Sequence, residues 1–199
     1  KNTKKDKDRG YLLRNELEQL VTLKCKKKKD ELVKDLFVFS CFTGLSYSDM
    51  KGLKNSNLQD FFDGNQWIIV RRKKTATSSN VMLLDIPKMI IEKYAGLSKD
   101  GKVFPVPSNT ICNDGLKRIS QLIDCLVEKK VTFHLARHTF ATLFLSEGVP
   151  LESLSKMLGH KNIATTQIYA KILNEKVGKD MQKVSHKFKG MEESFVSSL

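Results

Sequence analysis

Five side chains in the last third of the sequence have types and spacings that could do chemistry: His134, Arg137, His138, His160 and Tyr169. The first three lie in one run, His134-Leu135-Ala136-Arg137-His138, and on a helix residues three and four apart share a face. Two histidines at that spacing are a familiar metal-ligand pattern. The zinc-protease version, however, requires a glutamate directly after the first histidine, and Leu135 stands there. No metal is expected. Arg137 offers a bidentate fork to two phosphate oxygens, and a neighbouring histidine can add a donor or move a proton. His134 with Arg137 therefore reads as a phosphate-binding pair, and His138 as a structural histidine. Taken singly, His160 could be a histidine in a turn and Tyr169 an amphipathic tyrosine on a helix. Their joint occurrence in this order is harder to ascribe to chance.

The elements that must position these groups are mainly helical. Residues 1–10 are polar and charged, as in a linker or tail. Leu13, Leu17 and Leu20 mark a first helix. A second runs from about Asp30 to Thr43, with Leu32, Leu36, Phe39 and Ser40 on one side, and Lys26 to Lys29 form a solvated connection. Gly44 is placed to cap it, and a short helix restarts with Ser46 or Ser48 as N-cap. Strands are expected near Ser56–Gln59, over Gln66–Arg72 and over Val81–Leu84, with a polar turn from Thr75 to Asn80. From Pro87 the pattern is helical again, broken at Gly96–Gly101 and Pro105–Pro107. Thr132 should cap a helix over Phe133–Glu147 that Gly148 ends. Pro150 then opens a helix with a Leu151, Leu154 and Leu158 stripe, closed by Gly159 in the left-handed conformation. Asn162 or Thr165 would cap a short helix carrying Ile168 and Tyr169, and a final helix or looser tail spans about Leu173 to Phe188. The expected class is mainly α with a small antiparallel sheet of about three strands.

Composition bounds the partner. Among 199 residues, 35 Lys and Arg against 22 Asp and Glu leave +13, and phosphate neutralisation with counterion release makes a polyanion the natural partner. With 40% hydrophobic residues the chain can bury a core. Its 8% aromatic content and lack of a stacking platform argue against a generic RNA binder. No convergent carboxylates suggest two-metal nucleolysis. The four cysteines have no zinc-ligand rhythm, and Cys41 and Cys125 read as buried thiols suited to a reducing cytoplasm. No apolar run reaches the roughly 18 residues that span a bilayer, so no membrane partner is expected. A chain that opens on Lys1 rather than Met is expected to be a fragment lacking an N-terminal part.

The string His134-x-x-Arg137-His138-Thr139-Phe140-Ala141-Thr142, then Leu158-Gly159-His160, then Thr165-Thr166-Gln167-Ile168-Tyr169 resembles the C-terminal signature of tyrosine recombinases, the phage integrase family. It is especially similar to integrases of conjugative transposons from Bacteroides-like bacteria. Phe42-Thr43-Gly44-Leu45 with Ser48-Asp49 resembles the family's first arginine-bearing helix, and the Trp67–Leu84 hairpin its lysine hairpin. The resemblance covers nearly the whole chain. It implies a DNA breaking-and-rejoining catalytic-domain fold over residues 11–185. It also implies a missing N-terminal core-binding domain joined through residues 1–10. The tail over 186–199, with Phe195, Val196 and Leu199, is expected either to be exchanged between subunits or to be disordered.

For activity, the resemblance implies attack by Tyr169 on a scissile phosphate, forming a 3′-phosphotyrosyl intermediate and a free 5′-hydroxyl. Arg137 and His160 would hold the non-bridging oxygens, His134 would assist proton movement, and Lys74 would protonate the departing 5′-oxygen. No metal or nucleotide cofactor is required. Arg71, Arg72, Lys73, Thr75 and Lys161 are expected against double-stranded DNA. The intact protein would act as a homo-tetramer on paired sites, with accessory DNA-bending proteins, in a bacterial cytoplasm at the nucleoid; the fragment alone is expected to be monomeric. This chemistry is consistent with the residues. A phenol of reference pKa about 10 needs an outlet for its proton and fixed donors for the phosphorane charge.

One position departs from the family. Where the first catalytic arginine belongs, the sequence has Ser46. Arg72 is a candidate replacement, because residues two apart on a strand share a face and Arg72 and Lys74 could lean together into the site. Equally, Arg71 and Arg72 could be plain backbone-phosphate contacts. Two other functions follow from the same residues: a DNA-binding module that has lost cleavage, and a type IB topoisomerase-like enzyme.

Overall fold

The computed structural model describes residues 10–72, 76–169 and, further on, 178, 181–182, 184–185, 187–188, 190–191 and 194–197. Lys73, Lys74 and Thr75, and much of the expected final helix, lie outside the described residues. The helices are α1 (Arg14–Thr22), α2 (Lys28–Thr43), α3 (Tyr47–Gly52), α4 (Asp85–Lys93), α5 (Asn109–Ser120), α6 (Phe133–Ser146) and α7 (Leu151–Leu158). One antiparallel sheet, β1 (Leu58–Asp60), β2 (Gln66–Arg71) and β3 (Ser78–Met82), has its strands in that order. The expected class is the one observed.

Helix α2 is the axis of the fold, packing against α1, α4, α5 and α6. Sequence periodicity suggests a one-sided helix, yet Val33, Leu36, Phe37, Val38, Phe39 and Cys41 are all buried. Each such burial contributes roughly 1.5–3 kcal/mol. Three charged residues go in with them and are paired: Asp30 accepts from Arg118, Lys34 donates to Glu31 (2.9 Å) and to the Leu23 carbonyl (2.7 Å), and Asp35 accepts from Lys93 and from the Tyr94 hydroxyl. A smaller apolar cluster of Phe140, Ala141, Leu145, Leu154, Leu158 and Tyr169 joins α6 to α7.

Several local expectations shift. Leu13 is the exposed N-cap of α1 rather than part of its buried stripe. Helix α2 takes in Lys28 and Lys29, while Lys26 to Lys29 stay exposed. The third strand starts at Ser78 instead of Val81 and pairs Arg71 with Ser78 and Ile68 with Val81. Ser78, Ser79 and Asn80 have turn-like side chains, but Ser79 points inward and donates to the Met157 carbonyl on α7. That tertiary hydrogen bond outweighs weak strand propensity. Cys41 is buried as expected; Cys125 is exposed, because it falls in a short 3₁₀ turn, Asp124–Leu126, instead of an apolar helix face. The segment bearing Tyr169 is two 3₁₀ turns, Ile163–Thr165 and Gln167–Tyr169, in place of an α-helix. Among the described residues, no helix is long and apolar enough to cross a membrane.

Candidate active site

The phase of α6 is set at its first turn. Thr132 caps it by accepting from the Leu135 amide (3.3 Å), and Leu135, Ala136 and Phe140 face the core. The opposite face then presents His134, which is exposed, with Arg137 and His138 half-buried. Arg137 spans two helix ends. Its Nη1 donates to the Gly44 carbonyl beyond α2 and its Nη2 to the Leu158 carbonyl ending α7, each at 2.6 Å. Gly44 adopts φ +66°, and a Cβ there would come within 2.6 Å of the Phe140 ring. Only glycine lets α2 end so close to α6.

A second guanidinium meets the first. Arg72, buried just past the end of β2, donates through Nε to the same Leu158 carbonyl (3.0 Å) and through Nη1 to Asp49. A helix C-terminus carries partial negative charge on unpaired carbonyls, so the end of α7 gathers two cations. Asp49 also accepts the Ser46 hydroxyl (2.6 Å), while Ser46 caps α3. Ser46, Asp49 and Arg72 thus form one chain of hydrogen bonds. By contrast, Arg71 is exposed and donates to the Ala76 carbonyl. Gly159, at φ +59°, closes α7, and a Cβ on it would lie 2.7 Å from the Arg72 Cγ. The glycine is needed for the turn and for the approach of Arg72 alike.

His160 follows directly. Its Nδ1 pairs with the hydroxyl of the fully buried Thr166 (2.8 Å), and the Thr166 carbonyl accepts the Tyr169 amide (3.1 Å). The Tyr169 ring is buried in the α6–α7 cluster, and its hydroxyl lies 2.9 Å from His138 Nδ1. His138 Nε2 is in turn 3.0 Å from His134 Nε2.

A profile of the phage integrase family matches residues 10–176. This chain belongs to the phage integrase family. Tyrosine recombinase XerA of Saccharolobus solfataricus is 33% identical over 156 residues, covering 78% of this chain and 50% of the relative. The chain therefore spans about half the length of that curated relative. A XerH site-specific recombinase bound to palindromic difH substrate, in a post-cleavage complex, matches with TM-score 0.70 at 20% identity, over 87% of this chain and 52% of that one. The catalytic domain of bacteriophage HP1 integrase matches with TM-score 0.59 at 21% identity, over 81% of this chain and 87% of that one. The fold is that of tyrosine recombinase catalytic domains.

Within this recombinase fold the candidate residues fall into three groups. His134, Arg137, His160, Arg72 and Tyr169 gather where the C-terminal end of α7 meets the first half of α6. Arg71 and Lys161 are exposed outside it, and Lys73, Lys74 and Thr75 are not among the described residues. His138, read from sequence as structural, holds the phenol of Tyr169. The helical spacing from His134 was the available signal; the partner 31 residues away was not. Asp49 enters the sequence reading only within the motif that resembles the family's first arginine-bearing helix, and nothing local to α3 marks its pairing with Arg72. An open groove of about 900 Å³ runs past the site, lined by Ser46, Ser48, Asn109, Asn113, Lys130, His134 and Arg137 among others.

Burial first, then the charges of Arg72 and His138, hold the His160 imidazole below its ordinary value. Folding therefore favours neutral His160. Its contribution is complete above the unfolded value of about 6.5 and is lost as pH falls through the lowered folded value. Acidification from pH 7.5 to 5 is expected to destabilise the wild type more than His160→Gln in urea unfolding. Parallel stability curves for the two proteins would contradict this.

Proposed function

We propose that this chain is the catalytic domain of a site-specific recombinase that cleaves and rejoins duplex DNA through a covalent 3′-phosphotyrosyl intermediate at Tyr169. The observation that carries this reading is the convergence of Arg137, Arg72, His160, His138 and the Tyr169 phenol where the C-terminal end of α7 meets α6, beside an open groove that Arg137 and His134 line. In this reading the Tyr169 oxygen attacks phosphorus while the bond to the 5′-oxygen breaks. Arg137, Arg72 and His160 stabilise the charge that develops on the non-bridging oxygens, as fixed donors do in a dry site. Lys74, which follows β2 in sequence, supplies the proton to the departing oxygen. The covalent link conserves the energy of the broken ester, so resealing needs neither ATP nor a metal.

The likeness to a bacteriophage integrase domain and the wording of the His134–Thr142 motif favour a mobile element, of the conjugative-transposon kind found in Bacteroides-like bacteria, as the source of the DNA ends. Arg71, Lys73, Thr75 and Lys161 would follow the DNA backbone outside the reacting phosphate. In the intact protein we place residues 1–10 as the link to a core-binding domain, and a tetramer on two paired duplexes as the active assembly. The described positions of the C-terminal stretch are helical and expose Met181, Phe188, Met191, Phe195 and Val196, which suits an arm that docks on a neighbouring subunit.

The test is a library of nicked suicide duplexes, in which the cleaved strand cannot be resealed and covalent protein–DNA survives denaturation. Wild type is expected to accumulate adduct and Tyr169→Phe to give none. Tight DNA binding without adduct would instead identify a binding module, the reading that Ser46 favours. Relaxation of a supercoiled plasmid lacking any recombination site would identify a topoisomerase-like activity.

A further inference from the structure

Resting on the recombinase reading, we infer that His138 is the group that takes the proton from Tyr169 and returns it during resealing, with His134 as the second station of the same chain. The geometry is direct. The Tyr169 hydroxyl is 2.9 Å from His138 Nδ1, and His138 Nε2 is 3.0 Å from His134 Nε2. The rings stand edge to face, with centroids 5.5 Å apart for His138 and Tyr169 and 4.6 Å for the two histidines. Helix α6 itself sets the histidine pair, since residues four apart lie one above the other. The 3₁₀ turn at Gln167–Tyr169 delivers the phenol to its end.

A neutral imidazole carries one proton, so its two nitrogens act as one donor and one acceptor. His138 touches a partner with each, and the chain therefore has two polarities. In the first, the phenol donates to Nδ1 and Nε2–H donates to His134. As the Tyr169 oxygen forms its bond to phosphorus, its O–H bond breaks and an Nδ1–H bond forms. The Nε2 proton then passes to His134 Nε2, leaving His138 neutral in the opposite tautomer and His134 cationic at the groove. In that second polarity the Nδ1–H points at the tyrosine oxygen. It is the acid that the phenolate needs when the 5′-hydroxyl attacks the phosphotyrosine and the tyrosine departs. One imidazole thus acts as base in cleavage and as acid in rejoining, and the proton count closes over the cycle.

The experiment follows adduct formation on the nicked duplexes selected with wild type, in single turnover, for His138→Ala and His138→Gln. Both variants are expected to bind DNA as wild type does and to form adduct about 10²–10⁴-fold more slowly, the usual range for a lost general base. Millimolar imidazole is expected to restore part of the His138→Ala rate and none of the His138→Gln rate, whose side chain fills the space. The inference is overturned by a His138→Gln rate close to wild type, because glutamine can hydrogen-bond but cannot carry the proton. A folded His138→Ala that is slow and unresponsive to imidazole also overturns it, since that marks a structural role. Wild-type adduct with unimpaired variants would sink the relay alone. Absence of wild-type adduct would sink the recombinase reading and the relay with it.

Discussion

Arg72→Ala is expected to slow single-turnover cleavage by about 10²–10³-fold, the usual loss when one fixed donor is removed from an oxyanion-type site. Arg71→Ala, a change at an exposed side chain, is expected to stay within about threefold, as surface substitutions usually do. The two arginines are neighbours in sequence and opposites in space. Arg71 faces solvent, whereas Arg72 is buried and shares the Leu158 carbonyl with Arg137. Ser46 stands where the family's first arginine belongs, and its hydroxyl binds the same carboxylate that holds Arg72. In the proposed reading Arg72 supplies the missing cation from another element, held in place by Asp49. Arg72→Lys should fall between the two, because an ammonium keeps the charge but cannot reproduce the guanidinium's two directed contacts. Equal, mild losses for Arg71→Ala and Arg72→Ala would dispose of the replacement.

The largest stability effect is expected at Asp49. Its side chain is 5% exposed and that of Arg72 is 6%, so removing the carboxylate strands a buried guanidinium. Breaking a buried pair in this way typically costs about 3–5 kcal/mol. Asp49→Ala is expected to lose that much in urea unfolding, and to lose cleavage as well, since Arg72 would no longer be held at the site. Ser46→Ala, which removes one cap and one hydroxyl contact, should cost about 0.5–2 kcal/mol. A loss below about 1 kcal/mol for Asp49→Ala would mean that Arg72 finds water or another acceptor, and that the pair is no anchor.

Local chemistry was legible wherever it acts over a few residues. Thr132 as N-cap, and Gly44 and Gly159 as left-handed caps, follow from short-range rules and are found in place; of Ser46 and Ser48, both offered as N-cap of α3, it is Ser46 that caps. The strand at Ser78 was missed because its reason lies on α7, in the carbonyl that Ser79 meets. Cys125 was misplaced because an apolar pattern does not distinguish a helix face from a 3₁₀ turn at the surface. The buried circumference of α2 was also hidden, because periodicity reports one face and not how many neighbours a helix has.

From the sequence alone came the class of fold, a cationic chain suited to a polyanion, and a helix face carrying His134, Arg137 and His138 together. Those depend on composition and on a period of 3.6 residues, which any stretch of chain carries within itself. Tertiary structure alone decided that Arg72 turns inward to Asp49 and Leu158, that Arg137 ties Gly44 to Leu158, and that the Tyr169 phenol rests on His138. These contacts close over separations of 86, 93 and 31 residues for Arg72–Leu158, Arg137–Gly44 and Tyr169–His138. No local pattern encodes such a meeting; it exists only once the packing of α2, α6 and α7 has brought the helix ends together.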